Sequence, residues 1–166
     1  QGSPEPDLFG GIRNVFSYKK WTLDTFAHFS IGNTMFNGSV AESYYARGAY
    51  LNLLPELKDR WTEENYMSDI PRAGTAFGTY VTTNETSFQD GSFFRLKNVT
   101  LTYDLDNPPF VRDASIYLSA QNLLLISDYK WGDPEVSQYG NQLNRGVSDS
   151  TYPYSTSVSL GLNIKF

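Results

Sequence analysis

The chain has 166 residues, no cysteine and a formal net charge of −5. Disulfides and thiolate metal sites are excluded, and the clustered Lys and Arg that a nucleic-acid partner needs are missing. Aromatic residues make up 16%, with 12 Tyr and 11 Phe, yet no apolar run approaches the ~20 residues of a spanning helix, so a membrane could be crossed only by strands.

Residues 1–10 read as a Pro/Gly-rich loop with neither a signal peptide nor an initiator-Met context, so the chain is expected to be a fragment or processed piece of something longer. Alternation predicts strands over 11–18 and 22–32, joined by a tight hairpin at Lys19, Lys20 and Trp21. In the second strand Leu23, Thr25, Ala27, Phe29 and Ile31 share one face, opposite Asp24, Phe26, His28 and Ser30. The stretch 33–91 reads as a long loop. Within it Ser39 and Glu42 form a capping-box pattern for a short helix from Val40 to Leu54, weakened by Gly48 and stopped by Pro55.

A third strand spans 92–105, with Val99, Leu101, Tyr103 and Leu105 on one side and Asn98, Thr100, Thr102 and Asp104 on the other. After a turn beginning at Asp106, Asn107, Pro108 and Pro109, a fourth strand is predicted over 115–129. Ile116, Leu118 and Ala120 share its apolar face until the run Leu123, Leu124, Leu125, Ile126 blurs the period. A second long loop, 130–155, leads to the last strand, 156–166. Its alternation is unbroken, with Val158, Leu160, Leu162, Ile164 and Phe166 opposite Ser157, Ser159, Gly161, Asn163 and Lys165.

The connections alternate short, long, short, long, and the last strand, 156–166, has the length of ~9–11 residues that a transmembrane β-strand needs. These features predict an all-β, antiparallel segment of a transmembrane barrel, with long loops on the extracellular side and both turns and Phe166 on the other. Five strands are too few to close a barrel of at least ~8, so the remaining strands must come from elsewhere. A soluble carbohydrate-binding β-sandwich is the alternative from a different class, and it predicts that the Val99/Leu101 face and the Val158/Leu160 face are buried in one core.

No catalytic, cofactor or metal constellation stands out, and the chain is not expected to be an enzyme. His28, the single histidine, reads as a polar residue of the lumen face; Asp24 is expected to pair with a lumen Lys or Arg and to lie too far from His28 for contact. Asp128, Asp133 and Glu135 read as a solvated acidic loop, lacking the ligand spacing of a calcium site. Tyr129, Trp131 and Tyr139, with Tyr152 and Tyr154, make that loop aromatic. Tyr129, Trp131 and Tyr139 are the candidate substrate-facing residues, since aromatic faces stack on sugar rings or peptide side chains, although girdle or loop-packing roles fit equally. Gly74 and Gly78 match no phosphate-binding motif, and the sequons at Asn37, Asn84 and Asn98 read as chance.

Several stretches resemble the SusC/RagA class of TonB-dependent outer-membrane transporters of Bacteroidota. The run from Asp90 to Tyr103, Asp-Gly-Ser-Phe-Phe-Arg-Leu-Lys-Asn-Val-Thr-Leu-Thr-Tyr, carries most of the likeness. Residues 119–123 (Ser-Ala-Gln-Asn-Leu), 129–135 (Tyr-Lys-Trp-Gly-Asp-Pro-Glu) and the ending Leu160 to Phe166 add to it. Upstream, Gly10-Gly11 with Tyr18-Lys19, Arg60-Trp61-Thr62 and Ile70-Pro71-Arg72 fall in the family's order.

The resemblance implies a C-terminal portion, residues 1–166, of a 22-stranded plugged barrel in the bacterial outer membrane, without the plug domain and signal peptide. It implies import of glycans or peptides under a SusD-like surface lipoprotein lid, with energy from TonB–ExbB–ExbD acting through the missing N-terminal part. A porin-like barrel would share the strands but need neither plug nor TonB. Leu162, Ile164 and Phe166 on the terminal strand resemble the signal read by the barrel-assembly machinery, and Phe166 also suits an interface anchor.

Overall fold

The computed structural model describes residues 2–40, 55–70, 72, 87–106, 110–130, 132–135, 145–149 and 151–166. Its main element is a five-stranded antiparallel sheet in the order β1-β2-β5-β6-β8. The strands are β1 (Leu8–Tyr18), β2 (Trp21–Ile31), β5 (Phe93–Asp104), β6 (Asp113–Ser127) and β8 (Ser157–Lys165). A second, three-stranded sheet has the order β4-β3-β7, from Thr34–Asn37 (β3), Phe88–Asp90 (β4) and Val147–Ser148 (β7). A short 3-10 helix covers Pro55–Asp59.

Register converts alternation along each strand into rows across the sheet, because residues directly opposite in a ladder point to the same face. Phe16, Leu23, Leu101, Leu118 and Leu160 form one such row through all five strands. The adjacent row is Val15, Asp24, Thr100, Ser119 and Ser159, on the opposite face. One face is therefore mostly Leu, Ile, Val and Phe, and the other mostly Ser, Thr, Asn and charged residues. No second layer of described residues covers the apolar face: Leu160 is 76% exposed and Val158 64%. Among the described residues the common core that a β-sandwich requires is not formed.

The near end of the sheet is tied by short connections. Lys19 and Lys20 alone form the β1–β2 turn, and Trp21 pairs with Tyr18 as a strand residue rather than joining the turn. Lys19 takes φ 55°, and the Asp104 N–H donates to the Lys20 carbonyl at 3.0 Å while the Lys20 ammonium pairs with Asp106. β1 begins at Leu8, three residues before the expected start, because Gly10 and Gly11 remain paired with Phe29 and His28. Glycine suits Gly11 because a Cβ there would stand 3.0 Å from the Phe26 ring. At Gly161 it would stand 2.3 Å from the Tyr117 ring, so Tyr117 lies flat across its neighbour strand.

At the far end the long connections are not plain loops. Residues assigned to the loops 33–91 and 130–155 supply β3, β4 and β7, and β3–β7 is a parallel pair. Strands this short carry too little alternation to be read from sequence. Among the described residues the buried hydrophobic ones are Met35, Val40, Leu57, Phe93 and Tyr129, none of them on the apolar face of the large sheet. The predicted helix has a different start. The Asn37 side chain accepts the Val40 N–H at 3.1 Å, so Asn37, three residues before Val40, is the N-cap and Ser39 sits inside the first turn. Gly48 and the rest of that helix to Leu54 fall outside the described residues, as do Asn84, Gly74, Gly78, Pro71 and Asn107–Pro109.

Candidate functional site

Two register breaks meet at Lys97. On the β2 side, Phe26 pairs with Asn98 and Ala27 with Leu96, leaving Lys97 as the extra residue of a bulge. On the β6 side, Asn98 pairs with Gln121 and Leu96 with Leu124, so β6 carries its own insertion at Asn122 and Leu123. Asn122 adopts φ 51°, a left-handed conformation that asparagine tolerates better than most residues. Its side chain donates to the Ser155 carbonyl at 3.2 Å, and its own carbonyl accepts from the Thr156 hydroxyl at 2.9 Å. The blurred run Leu123–Ile126 is the sequence trace of this insertion.

The bulge brings Lys97 beside Arg95 on the polar face, and both meet the loop that follows β6. The Arg95 guanidinium pairs with Asp133, each side chain 2% exposed, and its Nε lies 2.9 Å from Glu135 Oε2. Lys97 Nζ reaches Glu135 Oε1 at 2.5 Å, and His28 Nε2 stands 3.5 Å from the same oxygen. The Asp133 carboxylate also accepts the Glu135 N–H and the Tyr154 N–H, both at 3.0 Å. Tyr154 lies under the two cations, with Lys97 Nζ 4.4 Å and Arg95 Cζ 5.5 Å from its ring centre. Asp133 and Glu135 are thus not a solvated acidic loop. Asp133 is a buried counter-ion and Glu135 a half-buried one, while Asp128 alone stays exposed. Removing a charge from water is costly unless it is paired and hydrogen-bonded, which explains why Asp133 has an ion pair and two backbone donors.

The quoted Arg95-Leu-Lys97 and Asp133-Pro-Glu135 stretches are therefore two halves of one ion cluster. The available signal was their matching spacing: two basic residues two apart and two acidic residues two apart. The Asp90-Gly-Ser stretch is also explained. Asp90 Oδ1 accepts from the Ser92 N–H at 2.8 Å and hydroxyl at 2.6 Å, while Ser92 Oγ accepts the Gly32 N–H at 2.9 Å. This turn fixes the entry to β5 against the exit of β2.

Further along the polar face, Arg13 forms a two-pronged pair with Asp24, at 3.0 Å and 2.6 Å, so Asp24 has the basic partner expected for it. Among the substrate-facing candidates, Tyr129 is buried, 7% exposed. Burial raises the pKa of its hydroxyl. Trp131 and Tyr139 lie outside the described residues, and Tyr152 is open to solvent at 92%. Leu162 and Ile164 sit on the exposed apolar face of β8, and Phe166 follows it, 93% exposed.

Two depressions mark the polar face. One, of about 500 Å³, is lined midway along the sheet by Arg13, Asp24, Asn98, Thr100, Ser119 and Gln121. The other, of about 590 Å³, lies at the far end among Phe9, Phe26, Phe93, Pro134, Glu135 and Arg145.

No family model matches the chain. Over 173 residues, 99% of the chain, it is 38% identical to TonB-dependent receptor P26 of Formosa agariphila, and over 98% of its length it is 24% identical to TonB-dependent receptor SusC of Bacteroides thetaiotaomicron. The chain spans 17% and 15% of those proteins, respectively. Among solved structures it is similar to the RagAB peptide importer in its closed-closed state, with a TM-score of 0.80 at 29% identity over 99% of this chain and 18% of that one. The open-open state of the same importer gives a TM-score of 0.75 over 97% of this chain and 17% of that one.

Proposed function

Because the chain belongs, by sequence and by fold, with the TonB-dependent receptors of the SusC/RagA class, we propose that it forms a stretch of wall in an outer-membrane nutrient importer. The observation that carries this reading is the two-faced single sheet. Its apolar rows are open although nothing in water would favour leaving them so, and the hydrocarbon of a bilayer is the solvent that suits them. The polar rows then face the lumen. The end bearing Phe166 and the short turns lies on the periplasmic side, and the small sheet with its ion cluster lies outside. This piece supplies no bond chemistry; its work is to close the barrel with upstream strands, surround the plug and hold two outer loops.

The finer reading adds a SusD-like lipoprotein over the outer loops and TonB–ExbB–ExbD coupling through the plug. The likeness to the RagAB importer and to SusC supports it. Recognition of the β8 ending by the barrel-assembly machinery belongs to the same proposal. The test is uptake by cells that carry the whole receptor, with and without a protonophore or TonB. Active import predicts that accumulation collapses when either is perturbed. Unchanged entry would favour a passive porin-like barrel instead.

A further inference from the structure

The structure assigns a binding site for an anionic phospholipid headgroup to the rim of the near end, beside the β1–β2 turn; this rests on the wall reading above. Two residues along from the row of Phe16, Leu23 and Leu101, and so on the same apolar face, the ladder sets Tyr18, Trp21, Tyr103, Ile116 and Leu162 side by side. That row is divided. Its β6 and β8 members end in hydrocarbon, whereas its β1, β2 and β5 members are aromatics with polar tips. Trp21 and Tyr103 lie against each other, ring centres 4.6 Å apart and planes at 49°, and Tyr18 is 71% exposed. The Tyr18 and Tyr103 hydroxyls and the Trp21 indole N–H have no hydrogen-bond partner among the described residues.

A cation joins these donors. The left-handed backbone of Lys19 fixes where its side chain leaves the turn, and its ammonium lies over the Tyr18 ring, 5.4 Å from the centre. Its neighbour Lys20 is already engaged by Asp106, and Lys165 stands opposite Asp113 in the β6–β8 ladder. An aromatic belt by itself requires no such cation and is not confined to three strands out of five. An ammonium, an indole N–H and two phenol hydroxyls gathered where hydrocarbon gives way to water are donors for a phosphate, and the acyl chains of its lipid would follow Phe16, Leu23 and Leu101. Charge selects the lipid. A choline headgroup brings its own cation to the phosphate and competes with Lys19, so a headgroup of net negative charge fits better.

The experiment places the whole receptor in phosphatidylcholine nanodiscs containing a trace of phosphatidylglycerol with a photoactivatable diazirine beside its glycerol, and maps the labelled residues by mass spectrometry. Label is expected at Tyr18, Trp21 and Tyr103. It should fall about fivefold in Lys19→Asn, which removes the attraction of one lysine for an anionic headgroup while asparagine tolerates the left-handed turn. Lys19→Arg should restore the label, and Lys20→Asn should leave it near the wild-type level. No label at the turn, equal labelling by the matching phosphatidylcholine analogue, or indifference to Lys19→Asn would each overturn the site. So would competition by inorganic phosphate, which would make this a place for a free anion, or loss of the compact electrophoretic form in both Lys19 variants, which would make the lysine part of the receptor's own packing. A second analogue, with its diazirine at the acyl end, tests the premise separately: if it fails to label Leu118 and Leu160, that face does not meet lipid and the wall reading itself falls.

Discussion

The two ends of this chain solve different problems. Along β1, β2, β5, β6 and β8 hardly a side chain is buried. Leu118, Leu160, Leu162 and Ile164 are exposed on one face, and the opposite face is covered with short polar side chains. At the far end, Met35, Val40 and Tyr129 are buried, Asn37 is 1% exposed, and Arg95 and Asp133 are enclosed together. On the proposed reading the sheet relies on its surroundings for stability, through lipid on one side and a wet lumen on the other, whereas the far end buries side chains of its own. Substitutions should therefore act through membrane insertion in the first region and through ordinary packing and desolvation in the second.

The largest expected effect is at the ion cluster. Arg95→Ala leaves Asp133 buried without its counter-charge, a change that costs about 3–5 kcal/mol for a buried pair broken on one side. It should lower the temperature at which the detergent-extracted barrel loses its compact electrophoretic form, and limited proteolysis should cut first within 128–155. A variant with unaltered thermal behaviour would show that the loop is held by other contacts.

On the sheet, Leu162→Arg should impair assembly, since an Arg on the lipid face costs about 2–4 kcal/mol near the bilayer midplane. Asn163→Arg, one residue later and on the lumen face, should reach the membrane in near-normal amounts. Equal yields of the two in outer-membrane fractions would mean that the faces have been assigned the wrong way round.

Asn37→Ala should cost about 1–2 kcal/mol, since it removes an N-cap; the same side chain also donates to the Lys130 carbonyl at 3.0 Å. Hydrogen exchange should quicken at Val40 before it does in β5. The smallest effect is expected from Arg13→Ala. Its pair with Asp24 is exposed to water, where such pairs contribute little, so yield and thermal midpoint should stay at the wild-type values; a marked fall in either would show that the pair is enclosed in the assembled receptor.

The contrast between the two regions also separates what could be read in advance from what could not. The strands of the sheet announce themselves because a period of two with one apolar face is a local pattern, legible in Val158 to Ile164 without any neighbour. The ion cluster is not local. Asp133 and Glu135 lie 38 residues from their partners Arg95 and Lys97, and nothing in an acidic Asp-Pro-Glu stretch states whether water or arginine surrounds it. Tyr129 carries the same ambiguity: an aromatic in a loop reads equally as a platform or as packing, and no local pattern separates the two.

By itself, the sequence determined the secondary structure of the wall, the pairing of apolar with apolar faces and the two short turns, because each follows from alternation and turn chemistry within some twenty residues. Tertiary structure decided the rest. The bulge at Lys97, which turns that lysine toward Glu135, arises from register between three strands. The short strands β3, β4 and β7 exist only because distant loop segments meet, and the burial of Asp133 depends on a guanidinium from another part of the chain. Those outcomes hinge on which desolvated groups find partners, a balance set by contacts far apart in sequence and therefore absent from any local pattern.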